Sequence, residues 1–221
     1  MRRWAVTVSS VNMMYCDISF PIRGVTLPRD HGYMLYGALS RVIPEIHSAR
    51  WIAVHGIGGR RLDPETLVLQ RGSSLRLRIP IDKIKDVLPL VGQIIDLAGR
   101  QLLIGAPSVL PLQPAAALDA RLVVIRLTDG VKTAGGGFSP SEFEARFTAE
   151  AARQLDELGV TGAVSIHGRA AITVAGRRII GCAIRVRSLR PEHSMVLQIH
   201  GIGGKRVMGC GIFRPARGGA A

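Results

Sequence analysis

Cysteine is scarce in this 221-residue chain: Cys16, Cys182 and Cys210 are three widely spaced residues with no CxxC pair. That excludes a disulfide framework and a thiolate zinc site. No apolar run reaches the roughly 18 residues that a bilayer-spanning helix requires. The basic start, Met1-Arg2-Arg3, is followed at residues 4–8 by too short an apolar core for a secretory leader. A cytoplasmic protein with no membrane association is expected. HxxxH and HxH spacings are absent, and no carboxylates cluster at metal-ligand spacing. Two-metal phosphodiester chemistry, which needs several Asp or Glu together, is therefore excluded, and no metal or other cofactor is expected. Aromatic residues make up only 5% of the chain, and none forms an RNP1-type base-stacking motif.

Positive charge is what the chain has in excess. Twenty-nine Lys and Arg stand against 16 Asp and Glu, a net +13, and only four of the bases are Lys. Arginine is the planar, always-charged fork that suits phosphate, so a polyanion, most simply nucleic acid, is the expected partner. A genome that favours Arg codons is the alternative source of such a bias. Residues 1–110 hold 14 basic and 8 acidic residues and residues 111–221 hold 15 and 8, so neither half is an inert scaffold.

The hydrophobic pattern repeats. In the first half, residues 15–22 read as a strand. A helix follows over 31–43, with Asp30 as its N-cap and Met34, Leu35, Ala38, Leu39 and Val42 toward the core, until Pro44 stops it. Short strands are expected at 51–54 and 67–70. Residues 75–79 alternate as a half-buried strand that puts Arg76 and Arg78 on its wet face. Asp82 opens a helix to about 91, broken near Pro89, and a Pro-interrupted strand covers 101–112. The second half gives a strand at 122–127 and a loose loop at Gly135–Gly137. A helix to Leu158 follows, capped by Ser139 or Ser141, with Phe143, Phe147, Ala151 and Leu155 as its buried stripe. Its acidic residues, among them Glu142, Glu144, Glu150, Asp156 and Glu157, read as a solvated face. Gly159 ends this helix. Strands at 164–174 and 178–186, a helix at 191–200 and a closing strand at 211–213 complete the half. Two β-α-β-β-α-β runs predict an α+β fold of two tandem ferredoxin-like (RRM-like) domains, 1–115 and 120–221, with a glycine-rich loop near the C-terminus.

One motif occurs in both halves. His55-Gly-Ile-Gly-Gly-Arg-Arg61 and His200-Gly-Ile-Gly-Gly-Lys-Arg206 agree at six of seven positions. In the second copy Gly201, Gly203, Gly204, Lys205, Arg206, Gly209 and Gly211 fall within eleven residues. Glycine permits positive φ and close approach to a ligand, so consecutive N–H groups could cradle an anion while Lys205, Arg206 and, in the first copy, Arg60 and Arg61 supply charge. Neither a P-loop nor a Rossmann fingerprint fits: Arg206 stands where each would need another residue.

His31, His47 and His55 lie within 25 residues of one another. Histidine exchanges protons near neutral pH. Metal-free RNA cleavage needs only such a group and cations for the developing charge, because the substrate's own 2′-hydroxyl is the nucleophile. The residues are compatible with that chemistry and do not demand it.

Residues 194–215 (Ser-Met-Val-Leu-Gln-Ile-His-Gly-Ile-Gly-Gly-Lys-Arg-Val-Met-Gly-Cys-Gly-Ile-Phe-Arg-Pro) resemble the C-terminal glycine-rich loop of the RAMP superfamily, and more specifically of CRISPR repeat-processing endoribonucleases. Residues 17–24 (Asp-Ile-Ser-Phe-Pro-Ile-Arg-Gly) and 27–41 (Leu-Pro-Arg-Asp-His-Gly-Tyr-Met-Leu-Tyr-Gly-Ala-Leu-Ser-Arg) are similar to the Myxan-type branch of that family. The resemblance runs from about residue 13 to 215. It implies two ferredoxin-like domains and metal-independent cleavage within the CRISPR repeats of a precursor transcript. The product ends would be a 5′-hydroxyl and a 2′,3′-cyclic phosphate or 3′-phosphate. Many members place the active histidine just after the first helix, where this chain has His47. His31 matches a histidine that acts only in some branches, and His55 has no general counterpart. Another branch carries its histidine in the helix, where this chain departs with Tyr36. Arg50 stands near a lysine of some members. The expected order for acid–base catalysis is thus His47, His31, His55, with Arg50 stabilising charge. CRISPR repeat RNA or crRNA is the partner implied, with other effector subunits as further candidates, and both monomer and homodimer stay open. A non-catalytic RAMP-like subunit that binds crRNA in an effector complex would share the fold, charge and loop.

Overall fold

Nine residues, Tyr15–Arg23, form the strand (β1) on which the first half is built. The computed structural model describes residues 15–127 and 139–216. The chain divides into two compact units. One takes in residues up to Leu112 with Ile172–Arg178 and Arg206–Gly209; the other takes in Gln113–Ala171, Ile179–Lys205 and the residues from Cys210 onward. Two short segments from later in the chain thus count with the first unit.

In the first unit β1 is followed by β2 (Thr26–Pro28), α1 (Gly32–Val42), a 3-10 turn at Pro44–His47, β3 (Ala53–Val54), β4 (Arg60–Arg61), β5 (Thr66–Val68) and β6 (Ser74–Pro80). A short α2 (Ile84–Val87) between 3-10 turns leads to β7 (Ile94–Asp96), β8 (Gln101–Ile104) and β9 (Ser108–Pro111). β6 runs antiparallel along one edge of β1, in a register that sets Asp17 opposite Arg78. The other edge is shared, β9 pairing with Cys16–Ser19 and β8 with Ile22–Arg23. β3 pairs with the far side of β6, so the strands run β3-β6-β1-β9, every neighbour antiparallel. Cys16, Ile18 and Phe20 of β1 join Leu35, Ala38 and Leu39 of α1 in one core, with Met34 and Val42 packed at its margin.

Several local expectations are corrected here. Asp30 does not cap α1. The N-cap is His31, with no side-chain cap bond, and the Asp30 carboxylate accepts the Thr173 backbone N–H at 2.7 Å. Arg78 is not on a wet face: it is 1% exposed. The strand expected over 101–112 is two strands, since Pro107 between them has no N–H for a ladder. Asp82 makes no cap bond, and the helix it was to open is a single α turn between 3-10 turns. β2, β4 and β5 form a small separate sheet, with Leu67 between Leu27 and Arg61.

The second unit carries β10 (Leu118–Val123), α3 (Pro140–Glu157), β11 (Ala163–Val174), β12 (Arg177–Arg187), α4 (Pro191–His200) and β13 (Arg214–Pro215). The strand order is β11-β12-β10-β13. Counting strands in their order along the chain, this is the second-third-first-fourth order of β3-β6-β1-β9. Ser139 forms a capping box with Glu142, which satisfies two orphan donors at the start of α3. Phe147, Ala151 and Leu155 are buried below it with Phe143 alongside, and Gly159 (φ 67°) ends it. On the outer side Arg153 pairs with both Glu150 and Glu157, and Arg169 with Glu144. The expected strand at 122–127 begins earlier, at Leu118, and the closing strand lies at Arg214–Pro215 rather than 211–213. The loop at Gly135–Gly137 and residues 1–12 lie outside the described residues.

Candidate functional site

The end of α1 determines where His47 stands. Proline cannot continue the helix, so Pro44 starts a tight 3-10 turn, anchored by the buried Ile46, that leaves His47 exposed at its end. Tyr36, half-buried on α1, meets it: its hydroxyl lies 2.6 Å from His47 Nδ1, and the two rings pack edge to face with centroids 5.3 Å apart. That contact fixes the ring and leaves Nε2 with no protein partner among the described residues. Arg50, three residues on, is exposed. In the sequence Tyr36 marks only a departure from another branch's histidine, because a pairing with a residue eleven positions away carries no local signal.

The other two histidines of the trio are buried. His31 is 3% exposed. Its Nδ1 lies 2.8 Å from the Pro28 carbonyl and its Nε2 accepts the Ile57 N–H at 2.9 Å, so a neutral ring with its proton on Nδ1 ties the start of α1 to the chain after β3. His55 is 5% exposed, with Nε2 3.4 Å from Asp17 Oδ1. Arg78 clamps the same carboxylate with Nε at 2.8 Å and Nη2 at 3.1 Å, and Arg76 approaches at 3.8 Å. Burial alone would raise the Asp17 carboxyl. The hydrogen bond from His55 and the charge and hydrogen bonds of Arg78 outweigh it and hold the group well below the usual carboxylate range.

The glycine-rich loop differs from the anion cradle its sequence suggests. Gly201, Gly203, Gly209 and Gly211 do adopt positive φ. Their N–H groups, however, are consumed inside the protein. Gly201 donates to Leu197, Gly203 to the Gln154 side chain, Gly204 to Val124, Gly209 to Arg206 and Gly211 to Leu122. A Cβ on Gly203 would lie 2.5 Å from the Val124 carbonyl oxygen, so this glycine serves close backbone packing. Lys205 is the exception in the run, a non-glycine residue at φ 63°. Arg206 is half-buried, and burial followed by the like charge of Arg78 brings its guanidinium down to about 10. The first motif has another shape: none of its glycines has positive φ, and Arg60 and Arg61 are exposed on β4. Among the described residues no group of three or more His, Cys, Asp or Glu is gathered to hold a metal, and no helix is long and apolar enough to cross a membrane.

The α+β frame that carries these residues has counterparts among solved structures. A protein described as CRISPR associated protein Cas6 has a TM-score of 0.65 at 13% identity, covering 92% of this chain and 100% of its own. A RAMP protein described as binding different RNA substrates gives 0.63 at 15%, covering 91% and 98%. The product of a Cas6-related gene from Pyrococcus furiosus gives 0.62 at 13%, covering 93% and 100%. At such identities the likeness is one of fold: a mixed α+β fold similar to that of these Cas6 and RAMP structures. Sequence narrows it. The Cas6 CRISPR family model matches residues 16–218. The CRISPR-associated endonuclease Cas6 of Myxococcus xanthus (strain DK1622) is 38% identical over 203 residues, 92% of this chain and 82% of that one. The chain belongs to the Cas6 family.

Proposed function

We propose that this protein is a metal-independent endoribonuclease that cuts precursor CRISPR transcripts within the repeat to release guide RNAs. Each unit, built around residues 1–115 and 120–221, is read as a ferredoxin-like module, which the shared strand order supports. The observation that carries the reaction is His47: exposed, held at Nδ1 by Tyr36, and open at Nε2. Family membership supports a CRISPR-linked nucleic-acid substrate, since the 38% identical relative is named a CRISPR-associated endonuclease.

The chemistry follows from the RNA itself. The 2′-oxygen attacks the adjacent phosphorus, the bond from phosphorus to the 5′-oxygen breaks, and the products are a 2′,3′-cyclic phosphate and a 5′-hydroxyl. One proton leaves the 2′-hydroxyl and one arrives at the 5′-oxygen. If the Tyr36 phenol donates to Nδ1, His47 Nε2 carries a proton and serves the leaving oxygen; if Nδ1 donates to the phenol oxygen, Nε2 is a lone pair and takes the 2′-hydroxyl proton. In either case Tyr36 sets tautomer and aim. Arg50 is assigned to the charge that builds on the phosphate. With both ring nitrogens engaged, His31 acts through position, and buried His55 does likewise.

The test is end-labelled repeat RNA from the same locus, incubated with protein in excess EDTA beside a substrate with 2′-deoxyribose at the attacking nucleotide. A single cut in EDTA, lost on the deoxy substrate and leaving a 5′-hydroxyl, is the expected result. Tight, salt-sensitive binding with no cut would favour the non-catalytic crRNA-binding subunit.

RNA contact is assigned to Arg60, Arg61, Lys205 and Arg206, the glycines at 201, 203, 204, 209 and 211 shaping the backbone between them. Lys205 gives a separable prediction. A left-handed residue with a Cβ costs about 1–2 kcal/mol, which glycine avoids. Lys205→Gly should therefore melt at or above the wild-type temperature while binding repeat RNA more weakly, with the slope of log affinity against log salt reduced by about one. A parallel loss of stability and affinity would contradict this split.

A further inference from the structure

Two glycines occur in α1, and only one has a reason inside the protein. Gly32 opens the helix against the Met208 carbonyl, which a Cβ would strike. Gly37 sits in mid-helix, where glycine weakens the helix relative to alanine. A Cβ there would meet nothing within 4 Å. The packing therefore gives no return for that weakness, and the space outside Gly37 is open.

Neighbouring side chains furnish that space for a nucleotide. Residues 33, 37 and 41 follow one another at i, i+4 and i+8 and so share a face of α1. Tyr33 is 39% exposed, the one aromatic side chain among the exposed large hydrophobics of the described residues. Its ring lies 6.4 Å from that of Tyr36, the residue that holds His47. Arg41 is exposed in the last turn. At 1.5 Å per residue the stripe runs about 12 Å, room for one nucleotide and a flanking phosphate. An exposed ring, a gap and a guanidinium, in that order, match a base, a ribose and a phosphate.

We propose that the face of α1 over Gly37 is a nucleotide subsite, in which the base beside the cleaved linkage stacks on Tyr33 and its phosphate meets Arg41. The subsite rests on the RNA-cleavage reading of His47 and deepens it. It would draw the strand across α1 into line with His47 Nε2. Stacking tolerates every base, so the subsite places the strand and does not read its sequence.

Gly37→Leu fills the gap and is the first variant. It should melt no lower than wild type, because leucine is the better helix former, and yet lose about tenfold in kcat/KM, chiefly through KM, which is the size of one lost base stack. Tyr33→Ala should show a similar loss, and Tyr33→Phe should recover most of what Tyr33→Ala loses because the ring does the stacking. A readout independent of cleavage uses 2′-deoxy, uncleavable repeat RNA with 2-aminopurine on either side of the scissile linkage. At one of the two positions its fluorescence should be quenched by wild type and not by Tyr33→Ala. Cleavage by Gly37→Leu at the wild-type rate, or a signal untouched by Tyr33→Ala at both positions, overturns the subsite. A wild type that cuts no RNA overturns the reading of His47 instead, and the fluorescence still decides the subsite.

Discussion

His47→Ala should lower the single-turnover cleavage rate by about 10²–10⁴-fold, the range that one positioned acid or base contributes, while uncleavable 2′-deoxy repeat RNA still binds within a few-fold of wild type. The protein should remain folded, because the residue is exposed at the end of a 3-10 turn whose anchor is Ile46. Its loss opens no core cavity and removes only the contact to Tyr36. Tyr36→Phe keeps the ring and deletes the hydroxyl. It should cost up to about tenfold, the size of one neutral hydrogen bond, if the phenol only aims the imidazole. The same series extended to His31→Gln and His55→Gln separates position from chemistry. Those variants should lose melting temperature along with activity, whereas His47→Ala should lose activity alone. A His47→Ala protein that cuts within threefold of wild type would move the acid–base role to another residue.

Signals in the sequence were strongest where structure is local. The α1 stripe, the stop at Pro44, a serine cap at 139 or 141 and the helix end at Gly159 all depend on residues a few positions apart, and the structure has each of them, with Ser139 as the cap. Failures came where a partner far along the chain decides. The alternation of residues 75–79 places Arg78 on a face that would be wet if nothing covered it, but β1 sets Asp17 opposite, sixty-one residues away, and the pair is buried. The two glycine motifs share six residues and take different shapes. Gly59 lies beside the Val68 carbonyl of β5, whereas Gly203 and Gly204 are fitted against Val124. The same logic separates the histidines. Spacing grouped His31, His47 and His55, but a histidine's role depends on what its nitrogens meet, and only His47 is left open to solvent. Strands of two or three residues, such as β2 and β4, are too short for any alternation to show.

Asp17→Asn should destabilise the protein by about 3–5 kcal/mol at neutral pH, the cost of leaving one partner of a buried ion pair uncompensated. Arg78 would keep its charge at 1% exposure with only a neutral amide to accept its bidentate bonds, and His55 would lose the anion it faces. The pH dependence carries a definite sign. The Asp17 carboxyl is held below its ordinary value in the folded protein, so the unfolded chain binds the extra proton and stability rises with pH through this group. Its contribution is complete above the unfolded value of about 3.9 and is lost as pH falls from there toward the lower folded value. Urea unfolding at pH 7, 5, 4 and 3 should therefore show a wide gap between wild type and Asp17→Asn at the first two values and a closing gap at the last two. A gap that stays constant down to pH 3 would mean that the Asp17 carboxyl titrates alike in the folded and unfolded chain and is not held low by His55 and Arg78. Replacing the pair together, as Asp17→Leu with Arg78→Met, removes both charges at once and should recover much of the loss. The cluster bears on the site through the backbone: the His55 N–H is bonded to the Arg76 carbonyl, and two residues later the Ile57 N–H is bonded to His31 at the start of α1. A chain that loses Asp17 should thus loosen first around the helix that carries Tyr36, and cleavage should fall at temperatures where the rest of the protein is still folded.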